Sequence, residues 1–170
     1  MVDSLKLKRH FMKSSDIKRL RNEVLMRFGD LGAKLFPKKS RVERIQISND
    51  ETAYLVDENL QLLKINDEFI PSLFSIYERK IELPSVYVDQ GAVKSFLNGA
   101  DMMVPGITKS DQFTEGDVIT VNEEIKNKPI GIGIALMSSD EIKNATHGKA
   151  IKNLHYIKDN YFELAGILIT

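Results

Sequence analysis

Residues 91–107 read GAVKSFLNGADMMVPGI. Small residues open this stretch, Asn-Gly-Ala interrupts it, and Pro-Gly closes its apolar Met-Met-Val run. A core strand would need bulky residues here, so the glycines indicate either a tightly packed turn or a place where another molecule comes close to the backbone. The pattern predicts a short helix over residues 90–99 that ends at Asn98-Gly99, and then a strand that stops at Pro105.

The charges of the 170-residue chain are unevenly distributed, although 24 basic and 24 acidic side chains cancel. Residues 1–45 hold 13 Lys/Arg against 5 Asp/Glu, whereas residues 46–170 hold 11 against 19. This asymmetry is typical of a basic face that meets a polyanion, and it is equally compatible with solvated charge on a surface helix. With 42% hydrophobic residues, the chain can bury a core in one ordinary domain or two small ones.

The location of the protein is predicted from what its chain contains. No apolar run approaches the roughly 20 residues that span a bilayer. The first residues, MVDSLKLKRHFMKSSD, lack a secretory apolar core, so we expect a cytoplasmic protein that is not bound to a membrane. The absence of cysteine excludes disulfides and thiolate chemistry.

The first half predicts a small α/β domain. SSDIKRLRNEVLMRFG (14–29) has its apolar residues on one helical face, with Ser14 or Ser15 as the cap and Gly29 as the stop. A second helix is predicted to begin at Pro71, and Leu83-Pro84 suggests a boundary between domains of residues 1–84 and 85–170. Between the helices, an antiparallel meander is predicted from VERIQIS (42–48), AYLVD (53–57) and LQLLKI (60–65).

The second half predicts many short strands and two short helices, which is typical of a small mixed barrel. SSDEIKNA (138–145) is predicted to be a capped helix. Besides the strand before Pro105, the predicted strands are SVYVD (85–89), DVITVN (117–122), PIGIGIALM (129–137), IKNLHYIKD (151–159) and YFELAGILI (161–169). The fold class is therefore α+β, a small α/β domain followed by a mixed β pseudobarrel with short helices.

Catalytic and metal-binding patterns are not visible in the sequence. His10, His147 and His155 are far apart and lack the spacing of metal ligands, and His155 fits a structural, hydrogen-bonded role inside a strand. Gly131 and Gly133 alternate with isoleucines within a predicted strand, so they indicate room for closely packed strands rather than a dinucleotide site. We therefore expect no enzyme activity, no metal and no cofactor.

One stretch of the second half resembles a known family. YVDQGAVKSFLNGADMMVPGI (87–107), followed by IGIGIALMSSDEI (130–142) and IKNLHYIKD, resembles a PUA domain, a pseudobarrel named after pseudouridine synthases and archaeosine transglycosylases. FPKKSRVERIQI (36–47) and FIPSLFSIYERKIELP (69–84) are similar to the domain that precedes it in the malignant T-cell-amplified sequence proteins and their archaeal relatives. The resemblance covers nearly the whole chain.

The resemblance implies a non-enzymatic, RNA-binding translation factor. In this family the PUA domain binds an RNA stem with its single-stranded end, and the eukaryotic members act on the small ribosomal subunit with a partner that carries an SUI1 domain. The implied RNA is the acceptor end of tRNA, or rRNA. The residues of this chain that match the binding region are Gly91, Lys94, Asn98, Gly99, Ala100, Asp101, Met103, Val104, Pro105, Gly106, Gly148 and Lys149.

The chemistry of these residues suggests how they bind RNA. Gly91 and Gly99 lack a Cβ, so their backbone can approach a phosphate or ribose, and amides near Gly99–Ala100 can donate to phosphate oxygens. Lys94 adds positive charge on the helix. Met103 or Val104 is expected to lie against a base or ribose.

Two features keep other functions open. In HGKAI (147–151), Ala150 stands where the family has glycine, and residues 85–170 hold only 8 Lys/Arg against 11 Asp/Glu. Because RNA affinity depends on phosphate neutralisation, the alternatives are a protein-interaction module and a targeting subunit of an RNA-modification system. About 85 residues ahead of the barrel leave little room for a catalytic domain of an RNA-modifying enzyme. A monomer is expected.

Overall fold

The computed structural model describes residues 7–169, which divide into two compact units. One unit contains residues 7–82 together with residues 160–169, and the other contains Leu83–Asp159. No helix within residues 7–169 is both long and apolar enough to cross a membrane.

The first unit contains a five-stranded antiparallel sheet in the order β1-β2-β3-β4-β5. The predicted meander is confirmed as β2–β4, and two short strands, β1 and β5, extend it at either edge. The elements of this unit are β1 (Arg9–Phe11), α1 (Ser14–Phe28), α2 (Asp30–Leu35), β2 (Val42–Gln46), β3 (Glu51–Val56), β4 (Asn59–Ile65), β5 (Glu68–Pro71), α3 (Leu73–Glu78) and α6 (Asn160–Ile169).

Two predicted helix starts were wrong, while the predicted stop of α1 is confirmed. Lys13, not Ser14 or Ser15, occupies the N-cap position of α1, whereas Gly29 ends the helix with a φ of 56°. Pro71 ends β5 instead of beginning α3, because an edge strand tolerates the missing N–H of proline. The Ser72 hydroxyl then caps α3 by accepting a hydrogen bond from the Ser75 amide at 3.1 Å.

The prediction of a strand over residues 161–169 was also wrong, because this segment forms the helix α6. Tyr161, Leu164 and Leu168 recur at helical spacing and are at least partly buried. The Tyr161 hydroxyl donates a hydrogen bond of 2.7 Å to Glu51 Oε1 on β3, so α6 packs with the first unit. The compact unit therefore differs from the predicted domain of residues 85–170.

The second unit contains a six-stranded sheet in the order β7-β11-β10-β9-β6-β8. Only the β6–β9 pair is parallel. Because a single 3₁₀ turn of Val104–Gly106 joins β7 to β8, the two outer strands are consecutive in the chain and the barrel is nearly closed. The elements are β6 (Ser85–Val88), α4 (Gln90–Phe96), β7 (Met102–Met103), β8 (Ile107–Ser110), β9 (Val118–Glu123), β10 (Pro129–Ala135), α5 (Ser139–Asn144) and β11 (Lys149–Tyr156).

The predicted α+β class and mixed pseudobarrel are confirmed, with one correction at the opening stretch. The strand before Pro105 has only two residues, and the chain turns at Val104 before the proline. The capped helix of the second half is confirmed as α5, in which Ser138 and Glu141 form a reciprocal capping box.

Gly131 and Gly133 lie where β10 packs most closely, as predicted. A Cβ on Gly131 would stand 2.6 Å from the His155 carbonyl oxygen and would overlap the Phe96 ring. A Cβ on Gly133 would stand 2.5 Å from Ile151 Cγ2 and would overlap the Lys152 carbonyl oxygen. Both glycines are therefore required by packing in the barrel core.

Candidate nucleic-acid interface

Helix α4 forms one wall of the candidate interface. Its N-cap Asp89 accepts a hydrogen bond of 2.8 Å from the Ala92 amide, which fixes where the helix begins. Phe96 is fully buried and anchors the helix on the barrel. Gly91 and Ser95, one turn apart, then lie on the same face and line a surface groove together with Ala92.

The groove has a volume of about 280 Å³ and lies between α4 and the segment that contains β7. Five of the predicted site residues line it, namely Gly91, Asp101, Met103, Pro105 and Gly106. Met103 is 44% exposed, so its thioether side chain is available to a ligand. The small residues of α4 add little side-chain bulk to this groove.

The backbone amides near Gly99 are not available, contrary to prediction. The amides of Asn98 and Ala100 both donate to the Ser95 carbonyl oxygen, at 3.1 and 3.2 Å, and the Gly99 amide donates to that of Phe96 at 2.9 Å. They close the C-terminal end of α4 and cannot also bind a phosphate. Gly99 is exposed and has a φ of 92°, so the turn itself requires a glycine at this position.

Asn153, which the sequence analysis missed, holds this turn in place from β11. Its Nδ2 donates to the carbonyl oxygens of Phe96 and Ala100, at 2.9 and 3.1 Å. Its backbone amide donates to Asp101 Oδ1 at 2.9 Å. Asn153 therefore positions the turn between α4 and β7, and no local pattern in the sequence links it to residues more than 50 positions away.

Asn153→Ala is expected to lower the free energy of unfolding by about 1–3 kcal/mol, because two backbone carbonyls lose their side-chain donor. Urea denaturation measures this loss. Asn144→Ala is the control, since the exposed Asn144 amide bonds only the Asp140 carbonyl of its own helix, and it should change stability by less than about 0.5 kcal/mol. Equal stability of the two variants would show that Asn153 does not hold the turn.

Val104 and Gly106 have structural roles that differ from the predicted contacts with RNA. Val104 is only 6% exposed, so it cannot lie against a base, and its amide donates to the Gly148 carbonyl oxygen at 2.9 Å. A Cβ on Gly106 would stand 2.6 Å from the Ala92 Cβ, so this glycine allows the 3₁₀ turn to pack on α4. Val104 is therefore part of the core, whereas Gly106 lines the groove.

Lys94 and Lys149 supply positive charge beside the groove. Lys94 is exposed on α4 next to Ser95. Lys149 keeps 64% of its side chain exposed and lies 3.4 Å from Asp101 Oδ2, so its ammonium reaches the groove wall. Gly148 precedes it with a φ of 114°, and Ala150 is fully buried, so the alanine that replaces the family's glycine is part of the core.

His155 and His147 each lie within hydrogen-bond distance of a neighbouring polar side chain. His155 is 1% exposed and its Nδ1 lies 2.8 Å from Asp159 Oδ2, which confirms the prediction of a structural, hydrogen-bonded histidine. His147 is exposed and its Nδ1 lies 3.1 Å from the Thr146 hydroxyl. Among residues 7–169, no cluster of three His, Asp or Glu side chains is placed to hold a metal ion.

Comparison with known proteins relates both halves of the chain to characterised domains. The PUA domain family matches residues 84–157, and the pre-PUA-like domain family matches residues 5–79. Translation machinery-associated protein 20 of Saccharomyces cerevisiae is 33% identical over 137 residues, 76% of this chain and 76% of that protein. Malignant T-cell-amplified sequence 1 of Danio rerio is 28% identical over 170 residues, 90% of this chain and 89% of that protein. A crystal structure of a hypothetical Pyrococcus horikoshii protein, 32% identical, superposes with a TM-score of 0.79 over 93% of this chain and 99% of that one.

Proposed function

The chain belongs to the family of translation machinery-associated protein 20 and the malignant T-cell-amplified sequence proteins, as its sequence predicted, and we propose that its PUA domain holds the single-stranded end of a structured RNA during translation. The PUA domain and the similarity to translation machinery-associated protein 20 support a role in RNA binding that is related to translation. The finer proposal is that the RNA is the acceptor arm of tRNA, held on the small ribosomal subunit by a protein that is not an enzyme.

The observation that carries this proposal is the open groove between α4 and β7. Gly91, Ala92 and Ser95 present almost no side-chain bulk to it, while Met103 offers an apolar contact on the opposite wall. A base or ribose can lie against Met103, and the sugar-phosphate backbone can run close to the helix. Recognition of this kind reads the shape of an RNA end rather than its sequence.

Lysine side chains, rather than backbone amides, supply the contacts to phosphate in this proposal. Because the amides of Gly99 and Ala100 are already bonded, the contacts to phosphate are assigned to Lys94, next to Ser95 on α4, and to Lys149, which pairs with Asp101. Asp101 holds Lys149 at the groove wall, at a separation of 3.4 Å. Two cations fit a short RNA segment and are too few to bind a long duplex strongly.

The first unit adds the remaining positive charge in this proposal. Lys18, Arg19, Lys38 and Lys39 are all exposed on α1 and the loop that follows α2. We assign to this unit the docking to the small ribosomal subunit or to a protein partner, including a protein with an SUI1 domain. The basic character of residues 1–45 supports a polyanionic surface as its target.

Binding of fluorescent tRNA, with and without its terminal single-stranded residues, tests the proposal. Affinity is expected to fall about 10-fold or more when the end is removed, because the groove contacts are then lost. Affinity should also fall steeply with salt, with a slope of about 0.7 to 0.9 in log K per neutralised phosphate. If neither trimming nor salt changes binding, the acidic balance of residues 85–170 points instead to a protein-interaction module or a targeting subunit.

A further inference from the structure

A second groove lies beside the first and is not used by the proposed RNA contacts. It has a volume of about 440 Å³ and runs between strand β8 and helix α5. All four residues of β8 line one wall, while Ile142, Lys143 and the residues after α5 line the other. Pro105 separates this groove from the one at α4 and belongs to the lining of both.

Strand β8 is an edge of the six-stranded sheet and pairs only with β6 among the described residues. In an antiparallel pair, hydrogen-bonded and non-hydrogen-bonded residue pairs alternate. The Asp111 amide donates to the Ser85 carbonyl oxygen at 2.8 Å, so Val86 and Ser110, the next pair in register, form the non-bonded pair. The backbone N–H and C=O of Ser110 therefore point away from β6, and Ser110 is one of the residues that line the second groove.

The chemistry of the lining indicates what fits there. Ile107, Ile142 and Ala145 are partly or fully buried and form an apolar floor. The ten lining residues include two lysines, Lys109 and Lys143, and no acidic residue. Both lysines are exposed, so the positively charged lining complements a negatively charged occupant.

We propose that this groove binds an extended, acidic peptide segment of a partner protein, which adds as a further strand to β8. An added strand carries donors and acceptors that match the N–H and C=O of Ser110, and its alternate side chains lie on the apolar floor. RNA fits less well, because its backbone lacks the alternating N–H and C=O groups that pair with the edge of a sheet. The proposal does not depend on RNA binding at the first groove.

A blocked hexapeptide of alternating glutamate and valine is the probe, and amide NMR of the full-length protein is the measurement. We expect chemical-shift changes confined to β8 and α5, and hydrogen exchange of the Ser110 amide slowed at least 10-fold. The matching lysine-valine peptide should bind at least 5-fold more weakly. Shifts at α4 instead, no binding at millimolar peptide, or concentration-dependent self-association through β8 would overturn the proposal.

Ser110→Pro removes the groove-facing N–H, and Ser110→Ala is the matched control that keeps it. Proline should weaken peptide binding about 5-fold and alanine should leave it unchanged, since one main-chain hydrogen bond is lost. Lys143→Glu provides a second test that does not alter the backbone, and it should abolish the preference between the two peptides, because the introduced carboxylate cancels the charge of Lys109. Equal binding by both Ser110 variants, an unchanged preference, or displacement of the peptide by a short single-stranded RNA would count against a peptide site.

Discussion

Replacing Lys94 and Lys149 together by glutamate is expected to weaken the binding of tRNA about 10-fold or more at 0.1 M salt. The two side chains lie beside the α4–β7 groove, and the nearby backbone amides are already bonded within the turn. Each lost phosphate contact should reduce the salt dependence of log K by about 0.7 to 0.9, so the slope should fall by roughly 1.5. Fluorescence titration at several salt concentrations measures both quantities.

The matched control for this variant is the replacement of Lys109 and Lys143 by glutamate. It changes the net charge by the same amount, but at the β8–α5 groove. We expect tRNA affinity to stay within about 3-fold of the native protein, because long-range effects of exposed charges are screened. If both double variants weaken tRNA binding equally, the RNA is held by overall charge rather than by the groove at α4.

The elements that could be predicted from the sequence are those with local signals. Strands β2–β4 are rich in β-branched and other apolar residues and are separated by polar turns, and α5 begins with a Ser-x-x-Glu capping box. Gly131 and Gly133 indicated close packing because glycines that alternate with isoleucines in a strand leave room for a neighbouring backbone. In each case the residues that determine the structure are neighbours in the chain.

The missed elements depend on partners that are distant in the sequence. Strand β1 has three exposed residues and no apolar alternation, and it is held by pairing with β2 and by the Arg9–Glu43 ion pair at 2.9 Å. Helix α6 begins at Asn160, within an Asp159-Asn160 pair that resembles a hairpin turn. Its apolar face packs with the first unit, which is far from it in the sequence.

The candidate site could be located from the sequence, but its hydrogen bonding could not. The stretch of residues 91–107 does form a groove beside α4, as its glycines indicated. The availability of an amide depends on the three-dimensional path of the turn, which Asn153 controls from another strand. Val104 likewise has an apolar side chain that could contact a base, but the fold buries it.

Gly133 couples the barrel core to the candidate interface. Of the proposed substitutions, its replacement is expected to lower stability the most. Gly133 on β10 pairs in register with Asn153 on β11, and a Cβ there would overlap the Lys152 carbonyl oxygen. Gly133→Ala must therefore push β11 away from β10. We expect the free energy of unfolding to fall by about 3 kcal/mol, as for other overpacked cores, and urea denaturation measures it.

The same substitution should weaken RNA binding even at temperatures where the protein remains folded, because a displaced β11 carries Asn153 away from the turn between α4 and β7. Gly91→Ala is the control for stability and not for RNA binding, because Gly91 lines the groove. A Cβ there would meet Asp89 Oδ1 at an ordinary 3.5 Å. Alanine within α4 should leave stability unchanged or raise it by up to about 1 kcal/mol. A Gly133→Ala protein with native stability would mean that the two strands can separate without cost, and the groove would then not depend on the close packing of β10 against β11.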